Sequence, residues 1–176
     1  MDIITGMKAA ETGLKLLQHL ERAAEGRVEA SLLRMVYLEL RRNLEILDAV
    51  NLETDRDLPA TDVAYAQAAA ALDVQALYAL ILALEEPGLI QRIVKNPVNL
   101  LELEVSTQRE RTRDATPVGE AARYLYVKIS ALQAISRLDE RIRNDLRLRT
   151  RLRNIRNNCK VLIDVLRQLD DIKPIR

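Results

Sequence analysis

Phenylalanine and tryptophan are absent from this 176-residue chain, and five tyrosines make up its aromatic content. Glycine and proline number five each, too few for the many tight turns of a β-sandwich or barrel. The glycines, Gly6, Gly13, Gly26, Gly88 and Gly119, stand singly, so there is no dinucleotide fingerprint, phosphate loop or nucleophile elbow. A lone cysteine, Cys159, excludes an intrachain disulfide. With a lone histidine, His19, it also excludes Cys/His zinc coordination and the paired Glu-x-x-His of di-iron bundles. The opening Met1-Asp2-Ile3-Ile4-Thr5-Gly6 lacks the basic start and cleavage pattern of a secretory signal, and a reducing cytoplasm is expected. Charge of one sign is lacking too: 27 Lys+Arg stand against 26 Asp+Glu, which excludes a wholly basic nucleic-acid coat.

What is present is apolar spacing of 3 and 4, the mark of amphipathic helices. Ile3, Met7, Ala10, Leu14, Leu17, Leu20 and Ala24 predict a first helix ending near Gly26. Leu33, Val36, Leu40, Leu44 and Leu47 predict a second, from Val28 to about Val50, with Asn43 beside its stripe. Residues 51–61 read as loop, with Thr61 as N-cap of a third helix running through Leu84. That helix is apolar on nearly every side, with a buried stripe of Val63, Ala70, Val74, Leu77, Ile81 and Leu84, and is expected at the bundle centre. Its longest uninterrupted apolar run, Ala76 to Leu84, is far short of the roughly 20 residues of a membrane span.

Residues from about 86 to 116 read as an irregular connection, with Leu100 to Val105 too short to assign and Ser106 to Thr116 as exposed linker. Thr116 and Pro117 read as N-cap and first residue of a fourth helix. Its stripe of Val118, Ala122, Leu125, Ile129, Leu132 and Ile135 extends through Leu138 and Ile142. Leu148, Leu152, Ile155, Cys159, Leu162, Leu166 and Leu169 form a further seam, out of phase with the previous stripe at Asp145. A turn at Asn144-Asp145 is therefore expected, since one helix over 118–172 would be about 80 Å long. Together these segments predict a single all-α domain over 1–176, a helical bundle of four to five main antiparallel helices around an apolar central helix.

The charge is uneven. Residues 141–160 carry eight cations against Asp145, a net +7, while the other 156 residues sum to −6. Arg143, Arg147, Arg149, Arg151, Arg153, Arg156 and Lys160 form a candidate anion or nucleic-acid surface, although arginine outnumbers lysine 21 to 6 throughout, as a general coding bias would produce. No aromatic lies within 141–160 to stack on bases. Arg153-Asn154-Ile155-Arg156-Asn157-Asn158 resembles the Arg-Asn-x-x-x-His motif of the HEPN RNA nucleases up to its last position. There Asn158 replaces the histidine, and an amide does not shuttle protons near neutral pH.

His19 shares a cationic stripe with Lys8, Lys15 and Arg22 and has no orienting partner, while Cys159 in its seam reads as a small buried hydrophobe. Glu53, Asp55 and Asp57 alternate as calcium ligands do, but Leu58 and Ala64 replace the required glycine and glutamate. The functional expectation is a non-enzymatic binding or assembly protein without cofactor, acting through helix-helix contacts with a protein partner or a second copy of itself. The candidate pairing seam is Leu148, Leu152, Ile155, Leu162, Leu166 and Leu169, and Asn43 on the second helix is a register-setting polar residue if buried. The alternatives are nucleic-acid backbone binding through 141–160 and, less favoured, membrane engagement by residues 3–20.

Overall fold

The computed structural model describes residues 28–50, 52, 59–85, 97–103, 110–112 and 115–168. The first expected helix, His19, the acidic residues 53–57 and Leu169 lie outside them. The described residues form an all-α helical bundle of six helices: α1 Val28–Ala49, α2 Pro59–Ala71, α3 Gln75–Glu85, α4 Val118–Ser136, α5 Glu140–Asp145 and α6 Leu148–Gln168.

Helix α1 buries Leu32, Leu33, Val36, Leu40 and Leu47 against α3 and α6, and the 3-and-4 spacing of these residues is what gives one helix a face for two neighbours. Helices α1 and α6 run antiparallel, with Tyr37 meeting Arg167 at one end and Asp48 meeting Arg156 towards the other. Helix α4 buries Leu125, Ile129, Leu132 and Ile135 and packs on α2, α3 and α6. The α2 helix lies antiparallel to the course of α4 and α5, because Leu72 is bonded by Gln133 while Asp62 is bonded by Arg143. Tyr78 and Tyr126 stack between α3 and α4 with ring centroids 5.5 Å apart, the offset geometry that π-quadrupoles favour.

The expected central helix is two helices. Asp62–Ala71 and Gln75–Glu85 are bent by 43° across Leu72-Asp73-Val74, and α3 buries Ala76, Leu77, Ala79, Leu80, Ile81 and Ala83. Val63 and Ala70, expected in the buried stripe, are exposed because α2 buries the face of Asp62, Tyr65, Ala68 and Ala69 instead. Thr61 is inside α2 and is not its cap. The helix starts at Pro59, whose missing N–H falls among the donors that a first turn leaves unbonded anyway.

The connection also holds more order than expected. β1 Pro97–Val98 pairs antiparallel with β4 Thr116–Pro117, and β2 Leu101–Leu103 with β3 Glu110–Thr112. Glu110 to Thr112, expected as linker, is therefore a strand edge. Thr116 and Pro117 are drawn into extended pairing, so α4 begins at Val118; Pro117 has ψ 144° and supplies no side-chain cap. In the first rung Pro97 faces Pro117.

After α4 the chain turns twice, where the sequence predicted one turn. Asp139 caps α5 by accepting the N–H of Ile142 at 3.0 Å, a short polar side chain in the position that favours one. Between α5 and α6, Arg147 takes a left-handed φ of 54°, close to the expected turn. Leu138 and Ile142, read as an extension of the buried stripe, are exposed because the first turn ends the α4 face before them.

Candidate functional site

The arginine-rich segment spans α5 and α6 and is tied into the bundle at several points. Arg143 reaches from α5 to Asp62 of α2, its Nε donating at 3.0 Å and its Nη2 closing a short second bond, while Nη1 donates to the Leu138 carbonyl. Both side chains of this ion pair are largely buried, 13% and 9% exposed, and the bonds to Asp62 hold the guanidinium pKa above its ordinary value. Arg149 donates to the Leu52 carbonyl at 3.1 Å and Arg151 to the Leu146 carbonyl at 2.7 Å, the latter satisfying an acceptor at the turn before α6. Arg156 pairs with Asp48 of α1. Arg147 and Lys160 are exposed and Arg153 is half-buried. The row of cations read from sequence is thus partly a set of struts between helices.

The candidate pairing seam is internal. Leu148, Leu152, Ile155, Leu162 and Leu166 are all buried against α1 and α4 of the same chain, and Cys159 lies among them with its thiol pKa pushed up to about 12 by burial. No part of this described seam is left open for another chain.

A polar site that the sequence reading missed sits at the α2–α3 junction. Asn43 of α1, fully buried, bonds the Asp73 peptide on both sides. Its Oδ1 accepts the Asp73 N–H at 2.7 Å and its Nδ2 donates to the Asp73 carbonyl at 2.7 Å. Asn43 is thus a buried polar anchor within the chain, not a residue setting register between chains. Four residues earlier on the same face, Glu39 accepts the N–H of Ala76 at 2.6 Å and of Leu77 at 3.0 Å. Asp73 Oδ1 accepts the N–H of Val74 and of Gln75, at 2.8 and 3.2 Å, and Gln133 of α4 donates to the Leu72 carbonyl at 2.7 Å.

Every amide from Asp73 to Leu77 therefore has an acceptor, and this satisfies the free donors of a helix start that would otherwise be buried. Burial, with a smaller push from the anion Asp73, lifts the Glu39 pKa from 4.5 to about 7 against the N–H bonds of Ala76, Leu77 and Gln75. Glu39 and Asn43, four apart inside an apolar stripe, were the sequence signal for this site. Asp73 in an otherwise apolar run was its counterpart.

The outer side of the bundle carries a third feature. Val63, Val127, Leu138 and Ile142 are 52, 56, 39 and 40% exposed. Val127, Ala131, Ala134 and Leu138 follow one another on the exposed side of α4 and the turn after it. Val63 is next in sequence to Asp62 and Ile142 to Arg143, and Leu138 gives Arg143 its carbonyl, so three of these residues belong to the segments that one ion pair joins. Among the described residues no three His, Cys, Asp or Glu side chains gather as metal ligands, and no single helix is long and apolar enough to cross a membrane. Comparison with known protein families, curated proteins and solved structures finds no match for this chain.

Proposed function

We propose that this chain is a non-enzymatic helical assembly protein that pairs, first of all with a second copy of itself, through the outer apolar row of α2, α4 and α5. The observation that carries the reading is the line of Val127, Ala131, Ala134 and Leu138 on the exposed side of a helix whose other side is fully packed. Isolated exposed apolar residues need no explanation. A continuous row at helical spacing is the feature that a second helix covers, with small alanines permitting close approach.

The partners that Arg143, Arg149, Arg151 and Arg156 have within the chain favour this reading over nucleic-acid binding, because they give much of the arginine-rich segment a structural use. Light scattering over a micromolar to high-micromolar series tests it. The parent chain associates with rising concentration, whereas Val127→Glu and Leu138→Glu remain monomeric with unchanged melting. A parent chain that stays monomeric across the series removes self-pairing.

A further inference from the structure

The stretch from Arg137 to Asp145, which carries α5, has almost no apolar hold on the bundle. Every residue in it is exposed except Arg143, and α5 buries none of its residues. A helix of six residues does not persist in water by itself, since isolated helices are marginal below about 12–15 residues. Its own bonds, from the Asp139 cap to the return of the Leu146 N–H to the Ile142 carbonyl, are local.

The inward group of the stretch is Arg143. Its guanidinium gives two bonds to Asp62 in the first turn of α2 and a third to the Leu138 carbonyl. One side chain thereby ties together α2, the turn after α4 and α5. Beyond its ends the stretch is anchored by Ile135 and Leu148, both buried. A segment fixed at both ends, with one inward group between them, is free to lift without unpacking the core beside it.

We propose that the Arg143–Asp62 pair is a latch on a strap, residues 137–145. Closed, it sets α5 and the turn after α4 against α2; open, the strap leaves the bundle while α1, α3, α4 and α6 stay packed. Both charges are largely buried, so stranding either one is costly and the two enter solvent together as the strap lifts. The consequence for association rests on the pairing reading above. Val63, Leu138 and Ile142 stand on the three segments that the latch joins, so an open strap withdraws Leu138 and Ile142 and leaves a row of Val127, Ala131 and Ala134. Arg143 is in this sense a positioning residue for the pairing surface.

Amide hydrogen exchange in rising, sub-denaturing urea tests the latch itself. The amides of Arg143 and Leu146, bonded to the Asp139 and Ile142 carbonyls at 3.0 and 2.9 Å, exchange in the parent chain through an opening that urea hardly promotes, because lifting the strap exposes little apolar surface. The amide of Leu132, inside α4, follows the strongly urea-dependent opening of the core. Asp62→Ala lowers protection at Arg143 and Leu146 roughly 10–30-fold. Urea dependence at these two amides equal to that of Leu132, or protection unchanged in Asp62→Ala, overturns the latch.

Light scattering of the same variant tests the consequence for pairing. Asp62→Ala associates roughly tenfold more weakly than the parent, whereas Leu166→Ala, a core truncation in α6 that removes at least as much stability, associates as the parent does. Equal association of Asp62→Ala and parent, or equal weakening in Leu166→Ala, overturns the coupling of latch to pairing. A parent chain that never associates removes the pairing reading, and the exchange result still decides the latch.

Discussion

Asn43 and Asp73, 30 residues apart, exchange two hydrogen bonds of 2.7 Å between a side-chain amide and a peptide group. One side chain thereby does at the α2–α3 bend what a neighbouring strand does in a sheet, filling the donor and the acceptor of a peptide that helix geometry has abandoned.

Asn43→Leu removes both partners of that peptide and leaves a buried N–H and C=O without them. The expected loss is about 2–4 kcal/mol in urea unfolding, since each abandoned group carries a desolvation penalty. A variant as stable as the parent shows that water enters to replace the amide.

Glu39 fixes the sign of one pH effect on global stability. Its folded pKa of about 7 lies above the ordinary 4.5, so its contribution is fully present below pH 4.5 and is lost as pH rises through 7. The difference in unfolding free energy between parent and Glu39→Gln shifts against the parent by about 3 kcal/mol between pH 4 and pH 8. An unchanged difference over that range contradicts the assignment.

Arg143 and Asp62 join α5 to α2 through a pair that solvent barely reaches. Asp62→Ala leaves the Arg143 guanidinium with the Leu138 carbonyl but without its counter-charge and is expected to cost about 1.5–2 kcal/mol. Arg156→Ala breaks a pair whose aspartate is 44% exposed and costs less than about 1 kcal/mol. Chemical denaturation of the two variants separates the cases, and equal losses contradict the distinction.

Arg147 bears a left-handed φ of 54° at the turn into α6. Arg147→Gly is expected to be neutral or to stabilise by up to about 1 kcal/mol, and Arg147→Val to cost roughly 1–2 kcal/mol. Thermal melts of both variants give the order, and a valine variant equal to glycine contradicts it.

The apolar seams of α1, α4 and α6 were legible because each buried face repeats every three or four residues, and Cys159 falls in its seam as read. The bend at Leu72-Asp73-Val74 was not legible locally. It contains neither glycine nor proline, and the groups that sustain it arrive from Asn43, Glu39 and Gln133, far away in sequence. Leu138 and Ile142 kept the period of α4 across a turn, so periodicity ran on where the backbone did not. The short strands were hidden for a different reason. Runs of two or three residues carry no alternation to count, and Thr116-Pro117 had the local chemistry of a helix start until a partner strand claimed it. For the candidate site, the arginines were found but not their anchors, since Asp62, Leu52 and Asp48 come from other elements.

The facing prolines of the first strand pair have a consequence for misfolding. At the Pro97–Pro117 rung neither residue has an N–H, so the ladder cannot be continued there by a donor from either side. Exposed strand edges are the usual templates for fibril growth, and this rung offers an added strand no N–H donor.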